Sequence, residues 1–431
     1  MAAVTQAYRF ALDPTPSQRR SLASHAGAAR FAHNWGLHLV QERLAQRRVD
    51  STTQVPWTLP ELRREWNQAK RQVAPWWAEN SKEAYSSGLD GVARALKNWS
   101  DSRNGRRKGR PVGFPRFKKK GRARDACRFT TGAIKVLADR KHIQLPRIGV
   151  LKAHESTRKL ARRLEQGTAR ILAATISRQA YTWYVSFTVE VQRYVPVGNG
   201  KRTVVGVDVG IRHLAVLSTG LVIANPRSLE HQLHKLRRLN RQFARCEPAS
   251  KRRNQTRQEL ARVYARAANL PRDAIHKLTT ALATGHGTVV VEHLNVAGMV
   301  RNRRLARALS DSGLAELRRQ LTYKTTWYGS RLVVADRFYP SSKTCSACGW
   351  VKGKLNLGER TFVCTTCGHV IDRDLNAARN LAKLIDHVAR SGRETRNARG
   401  VDVRPGLAGL ITSKREAGTE SPRVGPAPIG A

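Results

Sequence analysis

The sequence predicts a multidomain α+β protein: a small β-barrel interrupted by a helical insertion, then a mixed α/β layer carrying a metal-binding ribbon. Three observations predict it. Strand-like runs separated by turn signals fill residues 125–195, and a further run at 7–12 stands apart from them across a helical stretch. Beyond residue 200 the order of elements is βββ-α-β-α-β. Four of the six cysteines form two CxxC pairs separated by 15 residues.

Each element rests on its own pattern. Ala7 to Leu12 alternates as a strand does, and Pro14 and Pro16 then break the chain direction. Residues 17–100 read as helical, with Leu22, Ala29, Phe31, Leu37 and Leu39 on one apolar face and Leu59, Leu62, Trp66 and Val73 on a second. Six of the nine tryptophans lie here (Trp35, Trp57, Trp66, Trp76, Trp77 and Trp99), most of them expected in the core and one or two free to stack on bases. Strands are expected from Arg128, His142, Ala169 and Tyr181 onward. With residues 7–12 they make the barrel. Val197 to Lys201 reads as a turn or linker, and Thr203–Gly210 as a buried strand, with a second from His213. Residues 227–283 are helical, with Leu229, Leu233, Leu236, Leu239 and Phe243 on one face, continued by Leu260, Val263, Leu270, Ile275 and Leu278. Thr288 to Glu292 returns as a strand, 311–329 as a helix, and Arg331 to Asp336 as another strand.

Charge bounds the function. The chain has 79 Lys and Arg against 31 Asp and Glu, a net +48 over 431 residues. Such an excess repels itself when compact and calls for a polyanion, by default DNA or RNA. It excludes an enzyme of small neutral metabolites. A hydrophobic content of 40% excludes a disordered polycation. No apolar run is long enough to span a membrane, and the N-terminus lacks a signal-peptide core.

The charge is densest at 103–124, where 11 of 22 residues are Lys or Arg and none is acidic. Gly and Pro make this an extended arm. Arg106, Arg107, Lys108, Arg110, Arg116, Lys118, Lys119 and Lys120 are its candidate phosphate contacts, with Phe114 and Phe117 placed to touch bases. Arg237, Arg238, Arg241 and Arg245 lie off the apolar face of the first helix after residue 227 and are candidates of the same kind.

Cys345, Cys348, Cys364 and Cys367 are spaced as two zinc knuckles, each followed by a glycine (Gly349, Gly368) that permits the tight turn. Four thiolates leave no open position for water, so this zinc is structural. Cys127 and Cys246 stand alone and are given no role.

Three carboxylates occupy unusual places. Asp208 sits within an apolar strand, where a lone carboxylate is costly. Gly206 and Gly210 share its side and are expected to leave room for a metal and a phosphate backbone. Glu292 ends a valine-rich strand, and Asp374 opens a helix directly after the second knuckle. Converging, they would bind hard cations such as Mg²⁺, two of which can hydrolyse a phosphodiester. The plainer readings are an N-cap for Asp374 and a strand-end ion pair for Glu292.

Residues 203–217 (TVVGVDVGIRHLAVL), 289–300 (VVVEHLNVAGMV), 341–349 (SSKTCSACG), 364–368 (CTTCG) and 372–381 (DRDLNAARNL) occur in an order that resembles TnpB, the OrfB protein of IS200/IS605- and IS607-type insertion sequences. The N-terminal AYRFALDPTPSQ is similar to that family's opening, and the likeness covers roughly residues 5–385. The resemblance implies an RNA-guided DNA endonuclease related to type V CRISPR effectors. It implies a wedge barrel (1–16 and 101–198) with a helical recognition insertion (17–100). It further implies a RuvC-like, RNase H-fold nuclease domain (199–340 and 371–387) with an inserted zinc ribbon (341–370). Residues 388–431, rich in Gly, Pro and charge, are expected to be a disordered tail. The family's catalytic, Mg²⁺-binding acids map onto Asp208, Glu292 and Asp374. Asp374 is preferred over Asp372 because the family's ligand precedes Asn-Ala-Ala by two residues. His293 stands where relatives carry Asp or Asn. The implied partners are a guide RNA from the element's end and double-stranded target DNA, with a separate transposase of the same element as a further candidate. The implied setting is a bacterial or archaeal cytoplasm, at the nucleoid. A guide-independent transposase or resolvase, an RNA-guided repressor and a small type V effector are the competing readings.

Overall fold

The structure, a computed structural model, describes residues 2–194, 196, 200–356 and 358–391. It divides into two compact units: Met1–Pro196 with Ser228–Leu270, and Val197–Arg227 with Pro271–Ala431.

The first unit opens with strand β1 (Ala2–Ala11) and helix α1 (Pro16–Val49). Thr15 starts the helix through a capping box, its Oγ1 accepting from the Gln18 amide at 3.3 Å and its own amide donating to Gln18 Oε1 at 3.0 Å. Helices α2 (Leu59–Val73) and α3 (Lys82–Arg103) come next. After them come β2 (Ala126–Phe129), β3 (Lys135–Val136), β4 (His142–Leu145), β5 (Gly149–Lys152), α4 (Arg158–Glu165), β6 (Ala169–Gln179) and β7 (Thr182–Arg193). The main sheet has the order β1-β7-β6-β2 and is antiparallel throughout. Along β7, Trp183, Val185, Phe187, Val189 and Val191 are buried at every second position, the mark of one face on a core. That face and the helices share one cluster, in which Phe10, Leu22, Leu37, Leu89, Phe129 and Phe187 are buried together. The tryptophans expected in the core pack there: Trp66 stacks on Tyr85 at 4.9 Å and meets Trp35 edge-on at 5.2 Å. Helices α5 (Ser228–Arg245) and α6 (Lys251–Gly285) pair through Leu236, Leu239, Leu260 and Val263.

Two expectations from the sequence are corrected in this unit. Among the described residues no sheet closes: β3, β4 and β5 form a separate three-stranded sheet, so the expected barrel is two open sheets. At one edge β2 is only four residues long, and at the other the chain just after β1 meets the three-stranded sheet through a single bridge, Leu12 with Ala153, so the strands do not close on one another. Leu270, expected on an apolar face, is 44% exposed and immediately precedes Pro271 within α6.

The second unit is built on β8 (Val204–Asp208), β9 (His213–Leu217), β10 (Val222–Ala224), β11 (Thr288–Val291) and β12 (Arg331–Val334). Its sheet order is β10-β9-β8-β11-β12; the first three strands pair antiparallel, and β8, β11 and β12 run parallel. Both faces are covered, as a parallel sheet requires. On one face Val205, Val207, Val289 and Val291 pack with Leu278 and Leu282 of α6 and with Leu317 and Leu321 of a helix at Leu314–Tyr328. This helix is α9, preceded by α7 (Val296–Met299) and α8 (Arg303–Ser312). On the other face lies α10 (Arg373–Ser391), with Leu381 against Val290 and Ala335. The hairpin β13 (Thr361–Val363) and β14 (Val370–Asp372) stands before α10. The expected disordered tail begins within the last turn of α10, and from residue 392 it lies outside the described residues, as do 197–199 of the expected linker.

Candidate nuclease site and thiolate ribbon

Asp208 is the last residue of β8, not its middle as the apolar run suggested. Parallel pairing sets Val207 beside Val291, so Glu292 leaves β11 next to Asp208 at the carboxyl end of the sheet. Ligand sites in open α/β sheets favour that end. Gly206 has a role other than the one its bare backbone implied. A Cβ there would stand 1.9 Å from the Ala378 carbonyl oxygen and 2.6 Å from the Ala382 amide nitrogen. The glycine admits the backbone of α10 rather than a metal and a phosphate. Since residues 206 and 208 share a face, the same approach brings the start of α10 over Asp208.

All three carboxylates are half-buried. Burial and the charges of Glu292 and Asp374 raise Asp208 well above the usual carboxylate range; Asp372 adds to this and Arg373 opposes it. The N-cap alternative for Asp374 falls instead on Asp372, whose Oδ1 accepts from the amides of Asp374 at 2.9 Å and Leu375 at 3.0 Å. Asp374, in the first turn, keeps its carboxylate for the cluster.

Sequence reasoning missed the residues that hold Glu292. The buried Ser341 hydroxyl donates to Glu292 Oε1. Asn380 Nδ2 in turn donates to the carbonyls of Ser341 at 2.7 Å and Thr344 at 2.6 Å. Asn376 Nδ2 donates to Thr344 O at 2.7 Å, and Asn376 Oδ1 accepts from the Ser346 amide at 2.9 Å. The available signal was two asparagines four residues apart beside Ala377, Ala378 and Leu381: polar groups on a buried helix face need partners.

Cys345, Cys348, Cys364 and Cys367 form a cluster whose sulfur atoms all lie within 4.8 Å of one another. Cys345 and Cys367 stand 3.7 Å apart, Cys348 and Cys364 3.6 Å. A tetrahedral shell with about 2.3 Å bonds places sulfurs about 3.8 Å apart. The two knuckles repeat one pattern: Cys345 N donates to Trp350 O and Cys364 N to His369 O, with Gly349 at φ +82° and Gly368 at φ +72°. Burial opposes the Cys364 thiolate. Hydrogen bonds from the Cys367 and Thr366 backbone and from the neighbouring thiols outweigh that and bring it to about 6. Among the described residues this is the one group of three or more such ligands close enough together to hold a metal ion.

The basic candidates divide. Arg106, Arg107, Lys108, Arg110, Arg116, Lys119, Lys120, Arg237, Arg238, Arg241 and Arg245 are exposed. Arg238, Arg241 and Arg245 join Arg252 around a cavity of about 670 Å³ at the turn between α5 and α6. Lys118 is half-buried: its backbone pairs with the Asn34 side chain at 2.8 and 3.0 Å, and burial, then Arg94, lowers its pKa. Phe114 packs edge-on against Trp99 at 5.1 Å, so its ring belongs to the core margin; Phe117 is 48% exposed.

Acids gathered at the carboxyl end of parallel strands, a thiolate ribbon and a surplus of cations define a protein that works on nucleic acid. The family model described as "Probable transposase" (OrfB of IS605) matches residues 186–303, and one described as "Cas12f1-like, TNB domain" matches 315–381. A model described as "Helix-turn-helix domain" matches 1–48, which fold here as β1 and the single helix α1. A Mycobacterium tuberculosis protein with the provisional name RNA-guided DNA endonuclease Rv2885c is 44% identical over 401 residues, 88% of this chain and 86% of its own. InsQ of Escherichia coli, provisionally named in the same way, is 29% identical over 417 residues, 93% and 97% of the two chains. The solved Cas12f1–sgRNA–target DNA complex gives a TM-score of 0.49 at 14% identity, over 88% of this chain and 99% of that one. The chain belongs to the OrfB (TnpB) family of IS605-type insertion sequences.

Proposed function

We propose that the chain is an RNA-guided DNA endonuclease that cleaves target DNA by metal-dependent hydrolysis at Asp208, Glu292 and Asp374. The observation that carries the site is that parallel pairing brings Asp208 and Glu292 to one end of the sheet, where burial and then the charges of Glu292 and Asp374 raise the proton affinity of Asp208. Such a cluster fits cationic occupants. Three carboxylates from separate elements would suit two Mg²⁺ ions sharing ligands. Bound there, Mg²⁺ would activate a water and neutralise the leaving oxygen. Glu292 is oriented by Ser341, and Asp372 fixes the helix start that carries Asp374. A three-stranded meander, then two parallel strands reached through helices, supports the RuvC-like, RNase H-type reading. One zinc ion held by the four cysteines ties the ribbon together.

Sequence choice is delegated to a guide RNA, and the protein supplies backbone contacts. The exposed arginines and lysines at 106–120 and on α5 are suited to phosphates. Lys118 instead holds the arm to α1.

The test is to purify the chain from its native locus, sequence the RNA that accompanies it, and assay cleavage of a matching duplex with and without Mg²⁺. RNA- and Mg²⁺-dependent cutting, abolished by Asp208→Ala, is expected. Cutting without RNA would establish the resolvase-type reading instead, and RNA-dependent binding without cutting the repressor.

A further inference from the structure

The loop between β12 and the ribbon holds a phenylalanine out in water. Phe338 is 79% exposed, the most exposed phenylalanine among the described residues. Its backbone is nevertheless fixed. The Phe338 amide donates to Asp336 Oδ1 at 2.8 Å, and the Tyr339 amide to Asp336 O at 3.2 Å. The Tyr339 hydroxyl donates to Asn380 O at 3.2 Å. A fixed loop that keeps an aromatic ring in solvent forgoes the stabilisation that burial would give and presents an open π-face on which a base can stack.

Its position says what the ring would meet. Three residues before it, the Ala335 amide donates to Val291 O at 2.8 Å, one residue from Glu292. Three residues after it, the Ser341 hydroxyl is bonded to Glu292 itself. Three residues of chain reach at most about 11 Å, so the ring is tethered to the carboxylate end of the sheet from both sides. The Arg337 guanidinium lies 5.7 Å from the ring centroid, adding a cation beside the platform.

We propose that Phe338, with Arg337, is a stacking platform for a nucleobase of the DNA strand presented to Asp208, Glu292 and Asp374. This rests on the nuclease reading above. Stacking suits it because every base has a π-face, so the platform places a strand without reading its sequence. That is the requirement when pairing with RNA makes the choice. The platform sets which phosphodiester lies at the carboxylates, and Phe338 acts as a positioning residue.

The probe is a single-stranded oligodeoxynucleotide carrying 2-aminopurine, scanned base by base, with the RNA-loaded full chain in an Asp208→Ala background. Stacking should quench 2-aminopurine at one or two positions. Phe338→Ala should abolish that quenching and weaken strand binding about tenfold, the scale of one stacked base. Phe338→Tyr should restore both. In the cleaving protein, Phe338→Ala should spread the cut over neighbouring phosphodiesters, with an unchanged melting temperature because the ring is exposed. Absent quenching in the parent, or quenching and cut positions unaltered by Phe338→Ala, overturns the proposal. A parent that binds no strand and cuts no target overturns the nuclease reading itself, a separate result.

Discussion

Asp372 and Asp374 show how one helical turn separates two roles for the same side chain. Asp372 accepts two amide hydrogens at the start of α10, while Asp374, in that first turn, adds its charge to Asp208. Asp372→Ala should therefore cost about 1 kcal/mol of stability, the usual worth of a cap, and leave most cutting activity. Asp374→Asn should leave the melting temperature unchanged and lower the cleavage rate at least about a hundredfold, the scale of lost electrostatic catalysis. Thermal unfolding and single-turnover cleavage on both variants separate the two. Equal loss of cutting in both would sink the assignment. The two aspartates are near neighbours in sequence; the family motif favours Asp374 for the cluster, and the hydrogen bonds assign the cap to Asp372.

At the scale of elements, the site depends on how closely α10 crosses β8. Gly206→Ala would place a methyl group 1.9 Å from a backbone oxygen of that helix. Overpacking against backbone costs roughly 1–3 kcal/mol or more, and the helix must shift. We expect a lower denaturant midpoint together with loss of cleavage, although residue 206 holds no metal. A second element contact carries a pH signature. Burial, with the Lys118 ammonium beside it, brings His33 of α1 down to about 4. A histidine in the unfolded chain titrates near about 6.5. The unfolded state thus takes up the proton first as pH falls, so stability is full above about 6.5 and declines toward about 4. Burial lowers His25 as well, with the same sign. Urea midpoints should drop across this window by an amount worth up to a few kcal/mol, and His33→Gln should flatten the slope. A midpoint that stays constant from about pH 7 down to about pH 4.5 would contradict it.

For the whole molecule, the net charge of +48 governs affinity more than specificity. Cations that bind phosphates release counterions. Binding of the RNA-loaded chain to non-matching duplex should therefore weaken about a thousandfold between about 50 and 200 mM salt. A slope near zero on a log–log plot of affinity against salt would rule out phosphate neutralisation as the source. Among the described residues no helix is long and apolar enough to cross a membrane.

The sequence by itself determined the features that are local or spaced by covalent geometry. The knuckles at Cys345–Cys348 and Cys364–Cys367, the strands β4, β8, β9, β11 and β12, and the start of α1 just after Pro14 are written in short-range patterns. A carboxylate at Asp208 was conspicuous in the sequence because a charge in an apolar strand is costly, although the pattern set it mid-strand and the structure sets it at the strand's end. Only the tertiary structure decided what contacts across long separations fix. It showed that Gly206 admits the backbone of a helix far along the chain, and that β1, β7, β6 and β2 stop short of a barrel. It turned Phe114 toward Trp99 and left Phe338 in water. Ser341 came to Glu292 through a bond spanning 49 residues. Periodicity tells which face a side chain takes; what meets that face depends on packing between distant segments, and no local pattern encodes it.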